Sequence, residues 1–412
     1  MEWINALSTR PSLEAAINEV VGRVQSSLDG EADLGIVFIS SSYSSDYQRL
    51  MPLLTEKLNL PFLIGCGGGG IIGMGDGNQV REIEGDLALS LTVANLPEVN
   101  IQPFQIESEQ MPDLDSPPQR WIDLIKVDPE DKPDFILLGD PFTSRINDLL
   151  EGLDFAYPGS LKIGGLASAG ENTGSLFYRN SHQPLLPSLY RQGVVGVALS
   201  GNITLETIVA QGCRPIGETY RVTQGERNVI VEMDSIEGNS SPRPPLTILQ
   251  NLMQDLDDSD RQLAQHSLFM GIARDEFQVQ LGQGDFLIRN LLGVDPRHGA
   301  IAVGDRIRPG QRVQFHLRDA STSALDLQLL LDAYCTEKGD LAQVKGALMF
   351  SCLGRGAMLY NQPNFDSELL RKYIPAIPVA GFFCNGEIGP VGGRTFLHGY
   401  TSAFALFRAA TA

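Results

Sequence analysis

Residues 346–401 read GALMFSCLGRGAMLYNQPNFDSELLRKYIPAIPVAGFFCNGEIGPVGGRTFLHGYT. One apolar run enters Ser351-Cys352-Leu353-Gly354-Arg355-Gly356, and a second enters Gly381 and then Cys384-Asn385-Gly386-Glu387. Short apolar runs bounded by glycine read as buried strands. Glycines at such ends admit backbone conformations closed to other residues and let another molecule approach the main chain. The stretch therefore predicts two strand ends that bring a thiol, a guanidinium, an amide and a carboxylate to one crevice. Ser351, Cys352, Arg355, Asn385 and Glu387 form the expected ligand-binding set. In the alternative, the glycines serve tight turns and Arg355 and Glu387 are an ion pair closing a sheet edge.

The same order of events is written twice earlier in the chain. A strand over 34–39 is followed by a serine loop over 40–46, a helix carrying Leu50, Leu53, Leu54 and Leu58, and a strand over 61–64 that enters Gly65-Cys66-Gly67-Gly68-Gly69-Gly70. A strand over 135–138, a loop over 139–144, a helix over 146–153 and a strand over 161–163 entering Gly164-Gly165 come next. Ile39, Leu50, Leu54, Ile64 and Gly65 stand 99 residues before Leu138, Leu149, Leu153, Ile163 and Gly164. A period of this size points to a duplicated supersecondary unit. The fold class expected is mixed α+β: two lobes of mixed sheets covered by helices, built from a repeated strand, helix, strand, glycine turn and strand. Residues 74–85 read as a turn-rich connection, 86–94 and 193–199 as further strands, and 395–406 as one strand.

A chain of 412 residues with 42% hydrophobic content is long enough for two domains. The boundary is expected near Tyr220, giving domains 1–220 and 221–412. An Asn, Ser and Pro cluster over 238–245 follows that boundary. In the second lobe, strands are expected over 268–272, 286–291, 300–303 and 313–317, with Asp319 capping a helix that runs to about residue 337.

A formal net charge of -19 opposes docking on nucleic acid or anionic lipid, since phosphate binding draws on clustered Lys and Arg. The first residues lack a basic start followed by an apolar core, and no apolar run approaches the roughly 20 residues that cross a bilayer. No nucleic-acid or membrane partner is expected, and the location expected is cytoplasmic. Cys66, Cys213, Cys335, Cys352 and Cys384 are odd in number and contain no C-x-x-C pair, so thiols rather than a disulfide framework or zinc knuckle are expected.

Gly68-x-Gly70-x-x-Gly73 matches a dinucleotide fingerprint formally, but no helix pattern follows it. A Walker-type loop is absent. Ser168 lacks the glycine two positions earlier that a nucleophile elbow needs. No metal and no cofactor are expected. Cys352, His398 and Glu387 are the residue types of a nucleophile, a base and an orienter, while a cysteine packed as a small hydrophobe is the competing reading of Cys352.

The serine loop with LPFLIGCGGGGIIG, the segment IGGLASAG, the central DFLIRNLLGVDPRHGAIAVGDRIRPGQRVQFHLRDA, and FSCLGRG, GFFCNGEIGP and HGYTSAFAL together resemble the FIST family. The resemblance runs from about residue 35 to 401 and covers N-terminal and C-terminal FIST domains. It implies a small-ligand-binding sensory module of signal transduction, with an amino acid or related metabolite as ligand. No methyl-accepting, kinase, cyclase or F-box region is recognisable, so output through a signalling protein partner is expected. A cysteine-dependent enzyme using Cys352 and a protein-interaction scaffold are the other function classes open to this sequence.

Overall fold

LGIVFIS, residues 34–40, is buried at every position, as a strand covered on both faces must be. The computed structural model in which it lies describes residues 1–142, 145–170, 175–236, 241–282 and 284–410. The end of the 139–144 loop and the start of the 238–245 cluster lie outside the described residues. The chain forms two compact units, one of Met1–Val209 with Leu329–Ala412 and one of Ala210–Gln328. A single cut near residue 220 would fall within a strand of the second unit.

Three segments make up the first unit. The first contains β1 (Glu2–Ser8), α1 (Leu13–Ser27), β2 (Leu34–Ser40), α2 (Tyr47–Lys57), β3 (Phe62–Gly68), β4 (Gly70–Met74), β5 (Val80–Glu84) and β6 (Leu89–Asn95). The second contains β7 (Val99–Ile106), α3 (Pro118–Ile125), β8 (Asp134–Gly139), α4 (Ile146–Ala156), β9 (Lys162–Leu166), β10 (Leu176–Asn180), β11 (Leu189–Tyr190) and β12 (Val194–Gly201). The third begins with β13 (Thr204–Ala210), after which the chain enters the second unit.

That unit holds β14 (Arg214–Glu226), β15 (Val229–Ser235), α5 (Pro245–Asp255), α6 (Asp258–Ala264), β16 (Leu268–Ala273), β17 (Phe286–Asp295), β18 (Ala300–Val303) and β19 (Arg312–Leu317). α7 (Ala320–Lys338) returns the chain to the first unit, its start fixed by the Thr322 N–H donating to Asp319 Oδ1 at 2.7 Å. The third segment then finishes with β20 (Gly346–Cys352), α8 (Ala357–Tyr360), α9 (Phe365–Tyr373), β21 (Val379–Cys384), β22 (Glu387–Val391), β23 (Arg394–His398) and β24 (Ser402–Arg408).

The three sheets of the first unit follow one plan of neighbours. They run β1-β6-β2-β3-β10-β11, β7-β12-β8-β9-β22-β23 and β13-β24-β20-β21-β4-β5. In each, a segment's opening and closing strands lie together on one side of its parallel pair, and a hairpin from a different segment completes the other side. β2 pairs parallel with β3, β8 with β9 and β20 with β21. The hairpin β4-β5 leaves the first segment for the third sheet, β10-β11 leaves the second for the first sheet, and β22-β23 leaves the third for the second sheet. The stretch 74–85, expected as a turn-rich connection, therefore holds the turn and second strand of the β4-β5 hairpin, and 395–406 is two strands in two sheets, divided at Gly399-Tyr400-Thr401, where Tyr400 has φ 63°.

Alternation along each central strand explains the packing. Ile36 and Phe38 face a shared core with Ile136, Leu138, Leu348, Phe350 and Phe382 from the other sheets, while Val37 and Ile39 face Ile17, Val20, Val24, Leu50 and Leu54 of the covering helices. Phe38, Phe350 and Phe382 form a ring cluster with centroids 5.0 to 6.4 Å apart. On the second sheet, Phe135 and Leu137 meet Trp121, Leu149 and Leu153 of α3 and α4. The architecture is mixed α+β, with the mixed sheets confined to the first unit. The second unit is a closed barrel in the order β14-β15-β18-β17-β16-β19, with its own core around Val222, Ile230, Met270, Ile301 and Phe315. Among the described residues its neighbouring strands pair antiparallel, and a register shift in β14 between Ile216 and Tyr220 gives the local bend that a small barrel requires.

Candidate functional site

Each parallel pair ends in the same way. The N–H of Ser40, Asp140 and Cys352 donates to the carbonyl just ahead of the segment's closing strand, at Ala88, Gly193 and Thr401, each at 2.9 Å. These three positions are the register equivalents of one another, because Gly65, Gly164 and Gly381 lie opposite Val37, Leu137 and Met349 on the paired strands. The strands beyond those glycines reach a common centre. There the Ser168 N–H donates to Gly67 O at 3.1 Å and the Asn385 N–H to Leu166 O at 3.0 Å. The third link runs through a side chain: Gly69 N–H donates to Ser168 Oγ at 2.8 Å, and the Ser168 hydroxyl donates to Phe383 O. Gly69, Ser168 and Asn385 thus close a hydrogen-bonded ring among the three segments. Leu353 lies against it, since a Cβ on Gly69 would come within 2.8 Å of Leu353 Cδ2.

Cys352 is half-buried beside this ring and its Sγ accepts from Gly354 N–H at 3.4 Å. Asn385 is exposed and Leu353 is 42% exposed. Ser351 is fully buried on β20, one residue behind, opposite Phe383 and Ser402. Carboxyl ends of parallel strands are where open α/β sheets place ligands, and here three such ends converge.

Arg355 is placed differently. Its side chain is fully buried, with Nε donating to Asp366 Oδ2 at 2.6 Å and Nη2 to Asp366 Oδ1 at 3.0 Å. The same Nη2 donates to the Tyr360 hydroxyl at 2.5 Å, Nη1 to Tyr400 O at 3.3 Å, and the Tyr360 hydroxyl donates to Asp366 at 2.8 Å. Burial, with Asp366 beside it, raises the proton affinity of the Tyr360 phenol. The guanidinium therefore pins the 353–356 turn to α9, and its carboxylate partner is Asp366. Glu387 is also fully buried: its Oε2 accepts from Thr401 N–H at 3.1 Å, and the Thr401 carbonyl accepts from Cys352 N–H. His398, the cross-strand partner of Glu387, donates its Nε2–H to Gly389 O at 3.0 Å.

Cys384, the last register partner of Cys352, is fully buried. Burial holds its thiol well above the usual range, and nearby Glu387, Cys66 and Cys352 add to this. All five cysteines are thiols. Among the described residues no cluster of His, Cys, Asp and Glu has the form of a metal site, and no helix is long and apolar enough to cross a membrane.

Sequence reasoning brought Cys352 and Asn385 to the ring and missed Ser168, Asp366 and Thr401. For Ser168 the signal was present, because the 99-residue register sets it opposite Gly69. Asp366 and Thr401 act through contacts that no local pattern encodes.

The FIST N domain family model matches residues 33–236 and the FIST C domain model residues 245–390. An uncharacterised protein of Mycobacterium bovis is 32% identical over 400 residues, covering 97% of each chain, and one of Mycobacterium tuberculosis is 32% identical over 402 residues, covering 97% of this chain and 98% of that protein. Human F-box only protein 22 is 36% identical over 72 residues, 17% of each chain. A solved cyanuric acid hydrolase aligns over 99% of both chains at 7% identity with a TM-score of 0.35, a likeness too distant to carry an argument.

Proposed function

Because the chain belongs to the FIST family, whose domains are associated with small-ligand sensing and signal transduction, we propose that it is a cytosolic binding protein for an amino acid or related small metabolite. The ligand sits where the three parallel pairs end. One observation carries this reading: the Gly69, Ser168 and Asn385 ring fixes an exposed amide and a half-buried thiol side by side on rigid strand ends. The Asn385 amide offers both a donor and an acceptor, which suits a ligand with a carboxylate and an ammonium. Cys352 contacts the same ligand. Arg355, Glu387 and Ser351 act from behind, the first through Asp366 and the second through Thr401. A signalling partner reads the occupied state.

Unit 1 is, in this reading, three copies of one segment that exchange hairpins, and the shared plan of the three sheets supports it. A thermal-shift screen with amino acids and central metabolites tests the ligand assignment, since a ligand at 100 times its Kd adds about 2.7 kcal/mol to stability. Asn385→Ala is expected to weaken the hit about tenfold, the loss of roughly one net hydrogen bond, while leaving the ligand-free melting temperature in place. A hit that binds Asn385→Ala and Cys352→Ala as tightly as the parent removes the ring as the site.

A further inference from the structure

We infer that Cys352 and Cys384 are a hydroperoxide-oxidisable dithiol that closes to a disulfide within the folded chain. The two residues are the last register pair of the parallel strands β20 and β21, so their side chains leave the same face of the sheet. Neighbouring strands lie about 4.8 Å apart, inside the roughly 4.4–6.8 Å span of Cα atoms that a disulfide bridges. Both strands end at this pair. Cys352 leads into the Leu353–Gly356 turn and Cys384 into Asn385-Gly386, where Gly386 has φ 135°. Beyond the pair the Leu353 N–H still donates to Cys384 O at 3.0 Å, which holds the two strand ends together.

The two thiols differ in access, and that sets their order of reaction. Cys352 is half-buried, and its sulfur, which accepts from the Gly354 N–H at 3.4 Å, is the one that a peroxide reaches. Cys384 is fully buried, its S–H donates to Phe382 O at 3.5 Å, and Gly165 leaves the space that its sulfur occupies. Cys352 thiolate attacks the distal oxygen of the peroxide, an S–O bond forms, the O–O bond breaks, and the leaving alkoxide or hydroxide takes up a proton. Cys384 then attacks the Cys352 sulfur, the S–S bond forms, and the S–O bond breaks with loss of water, which carries away the Cys384 proton. Two thiols lose two electrons and two protons, and the peroxide takes them up. Burial keeps Cys384 protonated and makes the second step the slower one.

This chemistry is independent of what the ring binds. Trypsin separates the pair cleanly: residues 346–355 and 373–394 each contain one cysteine. The full-length protein is treated with hydrogen peroxide under native conditions, alkylated without reduction, digested and mapped by mass spectrometry. The expected product is the two peptides joined, lighter than their sum by two hydrogens, in the parent and equally in Cys66→Ala. Cys384→Ala is expected to stop at the sulfenic acid, giving severalfold more dimedone adduct on the 346–355 peptide than the parent. Both peptides remaining alkylatable, a Cys66–Cys384 link in place of this one, or the same dimedone adduct with and without Cys384 would each overturn the inference.

Discussion

Asp366 accepts from both Nε and Nη2 of Arg355, and its charge adds to the burial that raises the proton affinity of Glu82 on β5. The sequence places Arg355 at a strand end and Asp366 eleven residues later, but which carboxylate captures the guanidinium depends on how α9 docks. Glu387 was the nearer candidate by motif, and it is held instead by a backbone N–H. Arg355→Ala strands a buried carboxylate, so a loss of about 3–5 kcal/mol in urea unfolding is expected. A loss below about 1 kcal/mol, the level of an exposed pair, would show that the pair does not hold the turn. Glu82 gives a pH signature. Burial first, and Asp366 second, push its carboxyl up to about 7, against the two hydrogen bonds that its Oε1 accepts from Ser367. The native state then holds a proton that the unfolded state releases near 4.5, the ordinary value of this carboxyl. Stability from this group is full below that value and falls as pH rises through 7, by about 3 kcal/mol in all. Glu82→Gln is expected to remove this fall, measured as the parent-minus-variant difference between pH 5 and pH 8.

At the level of strands and helices much was legible, because apolar period and glycine punctuation are local signals. β2, β8, α4, β16, β18 and β19 lie where the pattern put them. β1 was not foreseen, since EWINALS is short and shows no strict alternation, and the β4-β5 hairpin was hidden because GIIGM offers few side chains to show an alternation. The destination of each hairpin was beyond reach: β4 pairs with β21, and no period of two identifies a partner some 300 positions away. The glycines expected to open the second turns lie inside β3, β9 and β21 instead, where a close neighbouring strand explains them. A Cβ at Gly65, Gly164 or Gly381 would lie 2.2, 1.7 or 1.8 Å from the carbonyl oxygen of Val37, Leu137 or Met349. Each Gly→Ala change is therefore expected to cost about 3 kcal/mol or more. Gly22 in the middle of α1 has nothing within 4 Å of its Cβ position, so Gly22→Ala is expected to gain about 0.4–1 kcal/mol. Thermal denaturation of the four variants separates the two classes, and equal effects across them would contradict the packing described.

For the molecule as a whole, the two units predict opposite behaviour on excision. Ala210–Gln328 is one continuous stretch whose barrel closes on itself around its own core, so it is expected to unfold cooperatively when expressed alone. Residues 1–201 contain two whole segments yet lack β20 and β21, on which β4-β5 rests, and β22, which covers β9. That fragment is expected to show no cooperative transition by circular dichroism in urea, and a sharp one would mean that the hairpins are dispensable.

The exchange of hairpins also fixes when this protein can finish folding on the ribosome. β5 ends at Glu84 and the parallel pair it belongs with begins at Gly346, a gap of 346 − 84 = 262 positions. At roughly 5–20 residues per second of synthesis, the first hairpin emerges on the order of tens of seconds before its sheet exists. Through that interval its edge has no native neighbour. Translation speed and chaperone supply therefore bear on the yield of this chain more directly than on one whose sheets close in the order they are made.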